Sequence, residues 1–215
     1  MNQEEWDKTE KEFLVRLNNY FSEINSSIEV LKKNENNPLI KSQLCLAFVG
    51  ADTFSRFKLI FNGGREELNR NNKERFENWF KAFVFTEENE VYLKNKEKIN
   101  CNAERAWQIR NALLHFYSFP EPENGYHIEF LYNSLNLFQK ELNDFSLKKG
   151  RKIILIDVYC LINSILHGFL LQLKGFTEMI RKNPKHYIDS VLFAHKIIMG
   201  EGAFTVQLKE KNYGA

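Results

Sequence analysis

The sequence predicts an all-α protein, a helical bundle followed by a mainly helical C-terminal extension. Long segments carry apolar residues at intervals of three and four, the period of an amphipathic helix. The 215 residues include only 10 glycines and 4 prolines, too few for the many turns of an all-β sandwich. Apolar residues make up 43% of the chain and charged residues 27%, so the chain is expected to bury a sizeable core rather than stay disordered.

Four helices are predicted before residue 120, over residues 8–33, 39–61, 70–84 and 103–117. A turn over 34–39 separates the first two, and Pro38 is able to open the second because the first turn of a helix does not use its N–H. The run Asn62-Gly63-Gly64 ends the second helix. The charged segment 86–100 is predicted to be a loop or a short helix.

The loop over residues 119–125, rich in Pro, Glu and Gly, is the best internal boundary. It divides the chain into a predicted bundle over 1–120 and an extension over 126–215, whose role is unassigned and which is expected to pack on the bundle. Residues 126–132 fit either a strand or the start of a helix.

Residues 153–173 are apolar except for polar residues three to four apart, and a single formal charge, Asp157, falls among them. The segment is long enough to span a membrane, but the polar stripe favours a buried helix in a protein without membrane association. Pro184 is predicted to end this helix. A last helix is predicted over 186–199, followed by a loose tail.

Composition also limits the classes of function and the kinds of site that the sequence supports. Thirty Lys and Arg against 28 Asp and Glu give a formal charge of +2, which excludes a strongly basic nucleic-acid coat but permits a local basic patch. Cys45, Cys101 and Cys160 are odd in number and far apart, so neither a disulfide framework nor a zinc site is expected. We therefore expect a cytoplasmic protein without metal or cofactor. The polar, acidic N-terminus does not resemble a signal peptide.

The segment Trp107–Tyr117 carries the most informative residues. On a helical wheel, Arg110, Asn111, His115 and Tyr117 gather on one side, away from the predicted core stripe of the same helix. An imidazole transfers protons near neutral pH, and a guanidinium binds phosphate with two donors. RNA supplies its own nucleophile, the 2′-hydroxyl. This set is therefore suited to cleaving RNA without metal, leaving a 2′,3′-cyclic phosphate.

The run Arg110-Asn111-Ala112-Leu113-Leu114-His115 resembles the R-x4-6-H signature of the HEPN superfamily, and its continuation to Tyr117 resembles the form found in HEPN toxins paired with nucleotidyltransferase antitoxins. The resemblance covers about residues 8–119. It implies a helical bundle, a homodimer and metal-independent RNA cleavage in toxin–antitoxin or anti-phage defence, with an antitoxin or nucleotidyltransferase as partner. It further implies that Arg110 and His115 are catalytic, that Asn111 supports them, and that Tyr117 is structural or modifiable.

The sequence departs from compact toxins of that family in its insertions after the second helix and in residues 126–215. A non-catalytic helical module that binds RNA, nucleotide or a protein partner is the alternative. A third hypothesis is an inert scaffold in which Arg110 and His115 only form caps or pairs.

Further polar residues have two interpretations each. Asp52 and Arg56, four apart in an apolar helix, form an ion pair with each other, or Asp52 positions Arg110 or His115 as a supporting residue. Basic residues before the motif are either a solvated face or RNA-phosphate contacts; these are Lys94, Lys96, Lys98 and Arg105. A second basic run lies at 148–152. The aromatic residues of 76–85 favour a core or a dimer contact over base stacking.

Overall fold

The computed structural model describes residues 3–33, 39–63, 71–117, 126–131 and 152–199. Over these residues the chain is mainly helical, as predicted. The elements in chain order are α1 (Gln3–Lys32), α2 (Ile40–Phe61), α3 (Asn72–Trp79), a π-helical turn (Phe80–Val84), α4 (Glu90–Ile99), α5 (Ala103–Phe116), β1 (Tyr126–Leu131), β2 (Lys152–Asp157), α6 (Val158–Lys182) and α7 (Pro184–Met199).

The N-terminal helices lie close to their predicted bounds. Helix α2 ends at Phe61, with Asn62 as its C-cap, and the following Gly63 has a positive φ of 83°, which is the left-handed conformation that glycine adopts without strain. The predicted third helix is divided into α3 and the π-helical turn. The segment 86–100 contains α4, whose first turn is capped by Asn89, because its Oδ1 accepts a hydrogen bond from the backbone N–H of Tyr92 at 3.0 Å.

A small sheet is the main departure from the all-α prediction. Residues 153–157, predicted as the start of a helix, form β2, which pairs in parallel with β1 from Tyr126↔Lys152 to Leu131↔Asp157. The isoleucine-rich run before Asp157 favours a strand because β-branched side chains pack well on a pleated surface. Asp157 is therefore not part of a polar helical stripe. It caps α6 instead, since its Oδ1 accepts from the N–H of Cys160 at 2.9 Å.

Helix α6 packs against α2, α4 and the π-helical turn in one apolar cluster. Phe169 of α6 stacks on Phe54 of α2 with ring centroids 4.5 Å apart, and Trp79 lies 5.4 Å from Phe169. Gln172 links the same elements. It accepts a hydrogen bond from the Trp79 indole and donates one to the carbonyl of Phe54 at 2.9 Å. The aromatic residues of α3 are thus core residues, and Phe76 and Trp79 are fully buried.

Pro184 begins α7 rather than merely ending α6, which is consistent with the preference of proline for the first helical position. In the described parts of the chain, no helix combines the length and hydropathy needed to cross a membrane. The division between residues 120 and 126 stays a prediction, although α1–α3 and α6 contribute to the same apolar cluster. Most of the predicted turn at 34–39, the 119–125 loop, the basic residues 148–151 and the tail lie outside the described residues.

Candidate functional site

Helix α5 presents the motif with its rotation fixed by a buried stripe. Ala106, Ile109 and Leu113 are at most 1% exposed, so the predicted core side of this helix is the one that packs inward. Asn102 caps the helix by accepting a hydrogen bond from the N–H of Arg105 at 2.8 Å. Because α5 packs against α2 and α3, Arg110 is directed toward those two helices.

The carboxylate of Asp52 in α2 contacts three guanidinium groups. Its Oδ2 lies 3.5 Å from Nη2 of Arg110 and 3.5 Å from Nη2 of Arg56, and its Oδ1 lies 3.2 Å from Nη2 of Arg75. Both interpretations of Asp52 therefore describe real contacts, since it pairs within its own helix and also with Arg110. We call these four residues the Asp52 cluster.

Arg75 was not singled out by the sequence analysis. Its Nε donates to Ser55 Oγ at 3.1 Å and its Nη1 to Asn72 Oδ1 at 2.8 Å, so the guanidinium is fixed on several sides. Burial lowers the pKa of Arg75, and the Asp52 carboxylate opposes that shift. A signal was present in the sequence: Arg75 lies four residues before the core residue Trp79, and a cation on a buried face needs an anionic partner.

Arg110 is held in one orientation. Besides the Asp52 contact, its Nη1 donates to Asn111 Oδ1 at 2.9 Å, and its guanidinium lies 5.0 Å from the ring of Trp107. Its side chain is 16% exposed, and its buried Nε has no hydrogen-bond partner among the described residues. The predicted supporting residue Asn111 thus contacts Arg110 itself.

His115 is exposed in the last turn of α5. It follows Arg110 by five residues, which on an α-helix corresponds to about 140° around the axis and about 7.5 Å along it. Within one chain, the imidazole and the guanidinium therefore leave α5 in different directions, so the prediction that Arg110 and His115 gather on one side of this helix is wrong.

Tyr117 joins the end of α5 to the start of α2. It has a left-handed backbone with φ of 47°, and its hydroxyl is hydrogen-bonded to Ser42 Oγ at 2.8 Å. Lys41 Nζ donates to the carbonyl of Tyr117 at 3.1 Å and lies 5.5 Å from its ring. Tyr117 is 54% exposed, so a structural contact and an accessible phenol coexist at this position.

No family model, no curated protein and no solved structure matches the chain. Within the described ranges, no group of three or more His, Cys, Asp or Glu side chains is placed to bind a metal ion. The geometry of the site itself is therefore the basis for any proposal about its chemistry.

The basic residues predicted to bind RNA lie on other surfaces. Lys94, Lys96 and Lys98 are exposed on α4, which packs against α6 and β2, and Lys94 pairs with Glu90 at 3.7 Å. Arg105 donates to the carbonyl of Asn100 at 2.7 Å, at the opposite end of α5 from His115. The cations that the structure places beside Arg110 are Arg56 and Arg75.

The Asp52 cluster concentrates positive charge, since three guanidiniums share one carboxylate. Arg56 is the most accessible of them, with its side chain 44% exposed. A cluster of this composition attracts phosphate, and a guanidinium with fixed orientation stabilises charge that develops on phosphate oxygens. Helix α5, which contributes Arg110 to the cluster, also carries the exposed imidazole of His115.

Proposed function

We propose that the protein is a metal-independent endoribonuclease of HEPN type. The observation that carries the proposal is the setting of Arg110: the arginine of the R-x4-H run is fixed by Asp52 and Asn111 in a cluster with two further guanidiniums. A chain with a formal charge of only +2 thereby has a concentrated positive site that includes Arg110 of the helix that carries the candidate general base.

In the proposed reaction, Arg110 binds the non-bridging oxygens of the scissile phosphate, and His115 accepts the proton of the adjacent 2′-hydroxyl. The 2′-oxygen attacks phosphorus while the bond to the 5′-oxygen breaks. The leaving 5′-oxygen takes up a proton from solvent, and His115 then releases to solvent the proton that it accepted. The products are a 2′,3′-cyclic phosphate and a 5′-hydroxyl, and the reaction consumes no water or cofactor.

Asp52 and Asn111 are positioning residues in this scheme. They contact the guanidinium of Arg110 rather than the substrate. Because they already restrict the Arg110 side chain, less conformational entropy is lost when phosphate binds. Arg56, the exposed member of the Asp52 cluster, is placed to contact a neighbouring phosphate of the strand.

A homodimer is part of the proposal. Because Arg110 and His115 diverge around α5, one chain does not direct both groups at a single phosphate, whereas two α5 helices facing each other across a two-fold axis would. The HEPN resemblance supports the same arrangement. It also supports a cytoplasmic toxin or anti-phage defence protein with an antitoxin or nucleotidyltransferase as partner.

The test is RNA cleavage by purified protein in the presence of EDTA. Arg110→Ala and His115→Ala are each expected to reduce cleavage by about a hundredfold or more, as loss of a phosphate-stabilising donor or a general base does. Arg181→Ala and His186→Ala are matched controls, since both residues are exposed and distant in sequence from α5, and they should cleave at the wild-type rate. Intact RNA with the wild-type protein, or equal cleavage by the motif variants, would refute the proposal.

A non-catalytic module that binds RNA, nucleotide or a protein partner is the second candidate. It is favoured by the limited exposure of Arg110, whose guanidinium is already engaged by an acidic partner. This function predicts RNA retention that weakens steeply with salt, with no cleavage at any protein concentration. Retention that is unchanged by Arg56→Ala and Arg110→Ala would contradict it.

A further inference from the structure

A polar cavity adjoins the Asp52 cluster, between the C-terminal half of α2 and helix α3. Its volume is about 480 Å³, and it is lined by Arg75 of the cluster and by Ser55, which accepts a hydrogen bond from Arg75. This volume falls within the range of small-molecule binding sites. The cavity does not include Arg110 or His115, so it is distinct from the proposed catalytic groups.

Among the residues that the structure describes, two lysines of this cavity have no acidic partner. Lys58 is partly buried, donates to the carbonyl of Asn78 at 3.4 Å and lies 5.3 Å from the ring of Phe83. Lys81 is exposed and also lines the cavity. Among the described residues, neither ammonium lies within 4.0 Å of a carboxylate, although Glu74 also lines the cavity. Burial lowers the pKa of Lys58, so an anion in the cavity would stabilise its charged form.

The backbone on both sides of α3 is unusual where it meets the cavity. Asn71 has a left-handed conformation with φ of 50° and ψ of 46°, and Lys81 and Ala82 belong to the π-helical turn. The side chain of buried Asn89 stabilises that turn, because its amide nitrogen donates a hydrogen bond to the carbonyl of Phe83 at 2.8 Å. Such conformations cost free energy that the surrounding fold must offset, and π-helical turns are frequent at functional sites.

The remaining wall residues are suited to a nucleobase. The amides of Asn62, Asn71 and Asn78 offer both donors and acceptors, and Leu59 and Ala82 offer apolar surface. Cations, amides and a small apolar area within one cavity match the three parts of a nucleotide: phosphate, base edge and base face.

We propose that this cavity binds a nucleoside phosphate, with the phosphate on Lys58 and Lys81 and the base between the amides and the apolar wall. The ligand is either a free mononucleotide or one nucleotide of an RNA strand whose neighbouring phosphate lies at the Asp52 cluster. Arg75, which belongs to the Asp52 cluster and lines the cavity, connects the two sites.

Binding is tested by calorimetric titration with each of the four ribonucleoside 5′-monophosphates, inorganic phosphate and a short oligoribonucleotide, using His115→Ala protein to prevent cleavage. Lys81→Ala and Lys58→Gln are each expected to weaken nucleotide binding about tenfold, since each loses a charged hydrogen bond. Lys174→Ala, which removes an exposed lysine of α6, is the matched control and should bind like the parent protein. Backbone amide shifts of Asn71, Asn78 and Ala82 should move on titration.

The outcomes separate the two sources of ligand. Binding of a mononucleotide that Lys81→Ala weakens supports a free nucleotide, and binding of the oligonucleotide alone, weakened by the same variant, supports a nucleotide within RNA. Three results would overturn the proposal. Inorganic phosphate could bind as tightly as every nucleotide, both lysine variants could bind like the parent protein, or none of the probes could bind. Because a mononucleotide and inorganic phosphate contain no phosphodiester bond, the results with these probes do not depend on whether the chain cleaves RNA.

Discussion

Substitution of Asp52 by asparagine removes one negative charge from the cluster and keeps the shape of the side chain. Breaking a buried ion pair costs about 3–5 kcal/mol, whereas an exposed pair contributes at most about 1 kcal/mol. The Arg75 contact is of the first kind, since its side chain is 5% exposed, and the Arg56 contact is of the second, at 44%. The Arg110 contact lies between them, at 16%. The asparagine oxygen still accepts one hydrogen bond. We therefore expect a loss of about 3 kcal/mol in the free energy of unfolding.

For a chain of this length, a loss of that size corresponds to a melting temperature lower by about 6–12 °C. Urea unfolding followed by circular dichroism measures the free energy directly. Double-mutant cycles with Arg75→Met and Arg56→Met then separate the pairs. The coupling of Asp52 to Arg75 should be about 2 kcal/mol, and its coupling to Arg56 below about 0.5 kcal/mol. A stability within 0.5 kcal/mol of wild type, or a larger coupling to Arg56 than to Arg75, would refute this account of the cluster.

Three further predictions concern the scaffold. Gly168→Ala should lower the free energy of unfolding by about 1–3 kcal/mol, because a Cβ at this position would lie 3.1 Å from a backbone carbonyl oxygen of the π-helical turn. A Cβ at Gly175 has no neighbour within 4 Å, so Gly175→Ala should stabilise α6 by up to about 1 kcal/mol. Chemical denaturation of the two variants measures both changes. Asn89→Asp keeps the capping oxygen but loses the donors to two backbone carbonyls, so it should be at least as destabilised as Asn89→Ala, and a milder effect of the aspartate would be inconsistent with those bonds. Burial raises the pKa of Cys101 from 9.0 to about 12, so iodoacetamide near pH 8 should modify the partly exposed Cys45 first, as mass spectrometry would show. The stability gained by keeping the Cys101 thiol protonated is complete below pH 9 and is lost as the pH rises toward 12.

The helical part of the fold followed from periodicity because its apolar spacing is long and regular. The strand at 152–157 did not, since a short run of isoleucine and leucine fits a buried helix or a buried strand equally well. Its parallel partner, β1, comes from a segment more than twenty residues earlier, and pairing over that distance leaves no local signal. The capping role of Asp157 depends on the same boundary, so it became visible only with the strand in place.

The site was predictable where its residues share one helix. Arg110 and Asn111 are neighbours in sequence, and their hydrogen bond is local. The contact of Asp52 with Arg110 was one of two hypotheses, because two buried charges on different helices need partners but do not specify which. Arg75 was missed because it lies among aromatic core residues, and its role depends on how α3 crosses α2. The cavity beside Lys58 depends on the same crossing and on a π-helical turn that the sequence pattern did not indicate.

The most direct test of the proposed reaction modifies the nucleophile of the RNA rather than a residue of the protein. The wild-type protein, in EDTA, is incubated with an RNA strand and with the same strand carrying 2′-O-methyl groups throughout, and the product ends are identified by mass spectrometry. The account predicts cleavage of the unmodified strand to fragments ending in 2′,3′-cyclic phosphate, with no cleavage of the methylated strand and none by Arg110→Ala or His115→Ala protein. Cleavage of the methylated strand, or fragments that end in a 3′-hydroxyl, would contradict attack by the 2′-hydroxyl and the roles assigned to Arg110 and His115.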